Sequence, residues 1–359
     1  MEIGIVGLPN VGKSTIFNAL TSGNAQACNY PFTTIEPNVG VVAVPDPRLE
    51  RLNELFHPKK KIPASVRFVD IAGLVKGAAS GEGLGNKFLS HIREVDAIIM
   101  LVRLFHDPDV VHTMGSVDPK RDVEVIETEL ILSDLASVEK QVEKVEGKAK
   151  CGDKEAKAAL LVLEQVKVGL SAGQTVRQLG LSPDAVRDLG LLTSKPVLFV
   201  GNTDEKAEPA VVAQLEALAK ERGAGCVTLC GKLESEIAQL AEAERKSFLA
   251  ELGLSAPGLE RVIVAAYKLL NQQSFFTAGE DEVRAWTVTA GWKAPQAAGV
   301  IHTDFEKGFI KAEIYSYADI DQHLKESVLR DKGLMRSEGK EYVMRDGDVC
   351  FFKFSPPAR

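Results

Sequence analysis

A glycine-rich segment near the start of the chain ends in a lysine and a serine. Residues Gly7–Ser14 read GLPNVGKS and match G-x-x-x-x-G-K-S/T at every defined position. The apolar run Ile3–Val6 before it predicts a strand, and the stretch Lys13–Leu20 predicts a helix. A loop in that position wraps phosphate oxygens with backbone N–H groups and a helix N-terminus. The sequence therefore predicts a nucleotide phosphate site rather than a chance turn, formed by Asn10, Val11, Gly12, Lys13, Ser14 and Thr15.

Groups suited to a metal ion and to the terminal phosphate follow along the chain. Lys13 should reach the β- and γ-phosphates, and the Ser14 hydroxyl should bind Mg²⁺. Asp70 opens a D-x-x-G pattern, in which the acid is linked to the metal and the amide of Gly73 can sense the γ-phosphate. The pair Thr33–Thr34 offers a further hydroxyl in the loop after the first helix. The predicted magnesium ligands are Ser14, Thr34 and Asp70, and Lys13 and Gly73 are catalytic candidates.

The residues that would contact the base depart from a guanine-reading pattern. Guanine sites use Asn-Lys-x-Asp, whose aspartate accepts from the guanine N1–H and amino group, whereas this chain reads Asn202-Thr203-Asp204-Glu205. A longer Glu205 can swing away from adenine N1, and the Asn202 amide could pair with adenine N6 and N7. Asp204, one residue early, could partly restore guanine binding. The predicted base-side residues are Asn202, Thr203, Glu205, Cys230 and Gly231.

The composition describes an ordinary multi-domain chain. Its 359 residues are 45% hydrophobic and 26% charged, and the net charge of −7 argues against binding nucleic acid by bulk electrostatics. No run of 18 apolar residues or secretory signal is present, so we expect a cytoplasmic protein without a membrane partner. Five scattered cysteines make a disulfide framework or a zinc site improbable.

Apolar runs alternate with helical stretches, which predicts an α/β fold with a doubly wound, mostly parallel sheet. The runs are Ile3–Val6, Val39–Val44, Val66–Ile71, Asp96–Val102 and Pro196–Asn202. From Ser274 onwards, short alternating strands around one helix predict a compact α+β module, with Trp286 and Trp292 in its core.

Roughly 90 residues separate the last two runs, far more than a crossover needs. Two heptad-like patterns fall in this gap, joined by the turn-like stretch Gly147–Asp153; they comprise Ile131, Leu135, Val138, Val142 and Val145, then Ala159, Leu163, Val166 and Leu170. Narrow stripes favour an antiparallel coiled-coil hairpin over helices that simply cover the sheet. The predicted divisions are 1–125 and 194–273 for the nucleotide-binding domain, 126–193 for the hairpin and 274–359 for the C-terminal domain.

Taken together, the motifs resemble the Obg-like ATPase (YchF) family of translation-factor-related P-loop NTPases. The resemblance rests on GLPNVGKST, NYPFTTIEPNVG, DIAGLVKGAASGEGLGNKFL, the helical insert and HTDFEKGFIKAEIYSY, and it spans essentially the whole chain. It implies a P-loop G domain, an inserted coiled-coil hairpin and a C-terminal TGS domain. It also implies nucleotide-regulated association with the ribosome and hydrolysis of ATP at least as readily as GTP. We expect this hydrolysis to be slow and Mg²⁺-dependent, and we expect the protein to be a monomer.

The catalytic glutamine that many G proteins place after D-x-x-G is absent, because Leu74 occupies that position. Related proteins with such a hydrophobic replacement have been proposed to recruit a histidine, and His112 in DPDVVHTMGSVDP is the candidate. It could equally be a histidine at the hairpin base with no catalytic role. In related NTPases an asparagine at the position of Asn10 can bind K⁺, although here it could merely close the turn.

Contact with ribosomal RNA of the large subunit has its own basis in the sequence. Lysines crowd the predicted hairpin tip, at Lys144, Lys148, Lys150, Lys154 and Lys157, and His57–Lys61 forms a second basic cluster. Such clusters bind RNA phosphates, or they are simply solvated faces. Two other functions stay open, a nucleotide-binding scaffold that does not hydrolyse and a true GTPase that assists ribosome assembly.

Overall fold

The computed structural model describes residues 1–22, 38–72 and 84–355. The chain divides into two units, Met1–Val41 with Arg67–Ala266, and Val42–Val66 with Tyr267–Arg359. The sequence placed residues 42–66 in the nucleotide-binding domain, but they lie in the second unit. None of the described helices is both long enough and apolar enough to cross a membrane.

The described strands form two sheets of six. The strands are β1 (Glu2–Gly7), β2 (Val39–Ala43), β3 (Lys60–Ile62), β4 (Ser65–Asp70), β5 (Ala97–Arg103), β6 (Val197–Asn202), β7 (Gly225–Leu229), β8 (Gln272–Ala278), β9 (Glu282–Thr289), β10 (Phe309–Ser316), β11 (Arg336–Glu338) and β12 (Asp348–Phe354). Their orders are β2-β4-β1-β5-β6-β7 and β11-β10-β12-β8-β9-β3.

The helices alternate with these strands. They are α1 (Lys13–Ser22), α2 (Pro47–Phe56), α3 (Leu84–Glu94), α4 (Pro119–Lys150), α5 (Lys154–Ser171), α6 (Pro183–Arg187), α7 (Pro209–Glu221), α8 (Gly231–Gln239), α9 (Glu242–Glu251), α10 (Gly258–Leu269), α11 (Ala294–Ile301), α12 (Thr303–Lys307), α13 (Tyr317–His323) and α14 (Glu326–Asp331). Two 3₁₀ turns, Val176–Leu179 and Leu192–Ser194, follow α5 and α6.

The first sheet positions the chemistry. Strands β4, β1, β5, β6 and β7 run parallel, and every residue of β5 and β6 is buried, as expected for strands covered on both faces. Parallel strands end at one edge, so the glycine-rich loop after β1 lies at the same edge as Asp70, Arg103 and Asn202. The predicted doubly wound α/β fold is confirmed.

Helices α4 and α5 form the predicted antiparallel hairpin. Asp118 and Asp153 cap their N-termini through hydrogen bonds to the N–H groups of Arg121 and Ala156. The hairpin core contains Ile131, Val138, Leu163, Val166 and Leu170, with Leu135, Val142 and Val145 partly buried against it.

Two details of the hairpin prediction were wrong. Helix α4 continues to Lys150, so the connection is only Cys151–Asp153 rather than the longer predicted turn. Ala159 is exposed and Ala156 is buried instead. The alternative interpretation, in which these helices cover the sheet, also holds in part. The first turns of α4 bury Val123 and Ile126, and the helix packs against β5 and α7.

The second unit is the predicted C-terminal α+β module, extended by residues from earlier in the chain. Strand β3 pairs in parallel with β9 and so adds an edge to the C-terminal sheet. The core of the unit includes Phe275, Val288, Ile314 and Phe352, and the partly buried Trp286 and Trp292 pack against it as expected.

Candidate functional site

The glycine-rich loop adopts a backbone that few residue types tolerate. Asn10 and Gly12 have φ angles of 65° and 90°, in the left-handed region. A Cβ atom added at Gly12 would lie 2.3 Å from Nδ2 of Asn202, so a side chain at this position would displace the asparagine. The second glycine of the motif is therefore required both by its conformation and by its neighbour.

Lys13 and Asp70 form an ion pair at the sheet edge, with side chains 13% and 18% exposed. Asp70 also donates its backbone N–H to the Asn38 carbonyl at 2.8 Å, which fixes the end of β4. Ser14 and Thr15 are exposed at the start of α1. The structure thus brings together Lys13, Ser14 and Asp70 at this edge, whereas the predicted site residues Thr34 and Gly73, together with Leu74, lie outside the described residues.

Asn202 joins two loops of the site. Its Nδ2 donates to the Val11 carbonyl at 2.9 Å, and its Oδ1 accepts from the Gly231 N–H at 2.8 Å. Only 5% of Asn202 is exposed. The sequence argument assigned its amide to adenine N6 and N7, but the structure uses that amide to hold the glycine-rich loop against the loop after β7.

A cavity of about 740 Å³ opens beside these loops. Residues at or after the ends of four strands, β1, β5, β6 and β7, line it; they are Asn10, Gly12, Thr15, Phe105, His106, Asp107, Val110, Asn202, Thr203, Asp204, Glu205, Lys206, Cys230, Gly231, Lys232, Ser235 and Glu236. It therefore gathers all five predicted base-side residues next to the phosphate loop. Its size suits a small organic ligand.

The acidic residues at the base end of the cavity have different partners. Glu205 accepts from Lys232 Nζ at 3.4 Å, and this hydrogen bond raises the pKa of Lys232. Both side chains are largely exposed, so the pair can rearrange at small energetic expense. Asp204 accepts from the Lys206 N–H at 3.0 Å, while Thr203 is buried against the Leu229 carbonyl. The Asp204 carboxylate is engaged within its own loop.

The wall that follows β5 was missed by the sequence argument. Phe105, His106, Asp107 and Val110 line the cavity, and Asn10 Nδ2 donates to the Val111 carbonyl at 3.1 Å. The sequence contained one signal for these residues, namely their position after a strand, because loops after the carboxyl ends of parallel strands face the ligand in such sheets. The sequence argument applied this rule only to His112.

His112 directly follows Val111 in the sequence and does not line the cavity. Its Nδ1 accepts from the Met114 N–H at 3.0 Å, so the proton is on Nε2, which donates to Asp122 at 3.0 Å. Arg121 also holds the segment, through Met114 O, Ser116 O and Asp122. Several hydrogen bonds therefore hold this stretch, and both ring nitrogens of His112 are engaged.

The two basic clusters differ in how their charges are compensated. At the hairpin tip Lys150 pairs with Glu146, whereas Lys144, Lys148, Lys154 and Lys157 are exposed and form no ion pair with another described residue. In the second cluster Lys59 pairs with Asp281 and Lys61 with Glu50. The hairpin tip is therefore the better anion-binding surface of the two.

A parallel sheet with a glycine-rich loop of this geometry after its first strand defines a P-loop NTPase fold. Two family models match the chain. The model described as 50S ribosome-binding GTPase matches residues 2–126, and YchF-GTPase_C, described as a protein of unknown function, matches residues 272–355.

Similarity to individual proteins extends over the full length. Proteins named Ribosome-binding ATPase YchF from Haemophilus ducreyi and Escherichia coli O157:H7 are 50% and 51% identical over 359 residues, which is 99% of each chain. The structure of the Schizosaccharomyces pombe YchF GTPase matches with a TM-score of 0.88 at 39% identity, covering 98% of this chain and 97% of that one. This chain belongs to the YchF family.

Proposed function

We propose that the chain binds ATP in the cavity beside Gly7–Ser14 and hydrolyses it slowly to ADP and phosphate. The proposal rests on one combination of features in the cavity. The phosphate loop is intact, and at the end of the cavity that would bind the base, Thr203 and Glu205 stand where guanine recognition needs lysine and aspartate. Its relatives are named ATPases. In this proposal Lys13 contacts the β- and γ-phosphates and the Gly73 amide senses the γ-phosphate.

The donor set around Lys13 fits Mg²⁺. No group of three or more His, Cys, Asp or Glu residues among the described residues could form a dedicated metal cage. Mg²⁺ is instead held by one or two protein oxygens together with substrate phosphates and water. We assign Ser14 and Asp70 to this role, with Thr34 as a third oxygen. Bound there, Mg²⁺ neutralises the charge that develops on the phosphates. The Lys13–Asp70 pair must open for both groups to act.

Base selectivity follows from Glu205. A guanine-binding carboxylate must be fixed, whereas Glu205 is exposed and shared with Lys232. Turnover of ATP and GTP by the purified chain tests this. We expect kcat/KM for ATP to equal or exceed that for GTP, and a clear preference for GTP would favour the GTPase alternative.

The group that assists hydrolysis is assigned to His112. The imidazole can orient water once its contact with Asp122 opens, and it lies next to Val111, which binds the phosphate-loop Asn10. Asn10 Oδ1 is our candidate ligand for K⁺, because Nδ2 already donates to Val111. Equal turnover in K⁺ and Na⁺ buffers would contradict the K⁺ assignment.

A ribosomal partner is proposed from the relatives' names and the hairpin tip. The exposed lysines there form a surface that fits rRNA phosphates of the large subunit, and a ribosomal partner places a monomeric chain in the cytoplasm. Co-sedimentation with ribosomes in the presence of ATP, ADP or no nucleotide tests the partner. Binding that is unaffected by Lys144→Glu with Lys148→Glu would exclude this surface.

One observation favours a second candidate, a nucleotide-binding scaffold without hydrolysis. His112 is held outside the cavity by Asp122, so no histidine from the predicted set contacts the ligand space. A phosphate-release assay distinguishes the two functions. A scaffold would bind ATP but would show no release of phosphate that depends on Lys13.

A further inference from the structure

Arg103, the last residue of β5, is buried at the edge of the nucleotide cavity. Only 3% of it is exposed. Its guanidinium makes three hydrogen bonds, all to backbone carbonyls, at 3.1 Å to Phe105, 3.4 Å to Asp107 and 3.5 Å to Asn10. It also stacks on the Phe105 ring, with Cζ 4.2 Å from the ring centroid.

These contacts connect two parts of the site that are distant in sequence. Asn10 belongs to the phosphate loop, whereas Phe105 and Asp107 belong to the wall after β5. The planar fork of an arginine can reach all three carbonyls at once, which the single ammonium of a lysine cannot do in a fixed geometry. With Asn10 also bonded to Val111, the phosphate loop is held to this wall at two atoms.

The charge of Arg103 is not neutralised by a close counter-ion in the part of the chain that the structure describes. Among the described residues no carboxylate lies within 4 Å of the guanidinium, and Asp107 and Asp122 act only from farther away. Burial lowers the pKa of Arg103, and these two acids offset only part of that effect. Buried charges are normally paired. An anionic ligand in the neighbouring cavity would supply the missing negative charge.

We propose that Arg103 is a positioning residue of the nucleotide site, which fixes Asn10 in its left-handed conformation and holds Phe105 as a base-facing wall. The proposal rests on the proposed function, because it assumes that the cavity binds a nucleoside triphosphate. It adds a residue outside the predicted motifs. Arg103 acts through Asn10 and Phe105, and its positive charge favours the phosphates.

The test is the affinity of the full chain for a non-hydrolysable ATP analogue with Mg²⁺, measured by titration calorimetry. We expect Arg103→Met to weaken binding about tenfold or more, which corresponds to about 1.4 kcal/mol, because hydrogen bonds from a charged group are stronger than those between neutral groups. Arg177→Met is the matched control, because Arg177 is a largely buried arginine at the hairpin base, away from the cavity. It should lower the unfolding midpoint and leave the affinity within about twofold.

A double-mutant cycle with Phe105→Ala shows whether Arg103 acts through the ring. In the Phe105→Ala background, the effect of Arg103→Met should shrink from about tenfold to about threefold. Full additivity would contradict positioning through Phe105. If Arg103→Met does not fold, Arg103→Lys tests the proposal instead. This variant keeps the positive charge but loses the planar guanidinium, so it should still weaken binding at least about threefold.

The outcomes separate this inference from the proposed function. If the wild-type chain binds the ATP analogue and both Arg103 variants bind it equally well, the positioning role is wrong and the ATP site stands. If the wild-type chain binds no nucleotide, the proposed function itself fails.

Discussion

Arginines in two regions of the first unit are neutralised in different ways. At the hairpin base Arg177 pairs with Glu127 at 3.4 Å, and Arg222 pairs with the same carboxylate at 3.1 Å. At the cavity the partners of Arg103 within the described parts of the chain are backbone carbonyls and an aromatic ring. Burial raises the pKa of Glu127 in spite of its two arginines, so desolvation works against the charges even in this paired network.

This difference distinguishes a structural region, the hairpin base, from a ligand-binding region, the cavity. The hairpin base supplies both signs of charge, because Glu127 pairs with Arg177 and with Arg222. At the edge of the cavity no described carboxylate forms an ion pair with Arg103, and Lys13 can exchange Asp70 for a ligand. Variants at the hairpin base should therefore change stability alone, and variants at the cavity should change ligand binding or turnover.

The largest effect is expected for Glu127→Ala at the hairpin base. It leaves Arg177 and Arg222 without their shared carboxylate, so the free energy of unfolding should fall by about 3 kcal/mol. Urea unfolding measures this, and ATP affinity should not change. Glu124→Ala is the control, because Glu124 is 47% exposed and lies 4.0 Å from Arg222, and it should change stability by less than about 0.5 kcal/mol. Weaker ATP binding by Glu127→Ala would contradict the separation.

Next in size is Lys13→Ala at the cavity. Losing a charged contact to phosphate should weaken ATP binding about a hundredfold, or roughly 2.7 kcal/mol, with little effect on urea unfolding of the free chain. Lys220→Ala, in the last turn of α7, is an exposed control that should bind ATP normally. Unchanged affinity of Lys13→Ala would remove the phosphate-loop assignment.

A smaller effect is expected at His112, which lies between the two regions. His112→Ala should preserve ATP affinity and reduce single-turnover hydrolysis at least about tenfold. Asp122→Ala removes the acceptor that holds the ring, so hydrolysis should rise about threefold if the docked state is favoured by roughly one hydrogen bond. The exposed His91 on α3 provides the control variant His91→Ala. Unaffected hydrolysis in His112→Ala would assign the missing function to K⁺ or to the ribosome.

The smallest effect concerns the base. Glu205→Asp combined with Thr203→Lys restores the guanine-reading residues and should shift the ratio of GTP to ATP affinity about fivefold towards GTP. Asp204→Asn should leave the ratio unchanged, because Asp204 accepts from its own loop. A shift produced by Asp204→Asn would show that this carboxylate reads the base.

Much of the fold and the phosphate end of the site were predictable because their signals are local. The phosphate loop depends on glycine positions within eight residues, and the strands of the first sheet are continuous apolar runs. Arg103 and Phe105 carry no such mark, since RLF reads as the end of a buried strand. Residues 42–66 were misplaced because β3 pairs with a strand more than 200 residues later, and strand pairing over such distances has no local signature.

The most direct test of an ATP site in this cavity is the unfolding midpoint of the wild-type chain with and without nucleotide. A ligand that binds only the folded state stabilises it by about 2.7 kcal/mol at a hundred times its Kd. We expect Mg²⁺ with a non-hydrolysable ATP analogue to raise the midpoint at least as much as the matching GTP analogue does. No shift with the ATP analogue, or a distinctly larger shift with the GTP analogue, would contradict the assignment of this cavity to ATP.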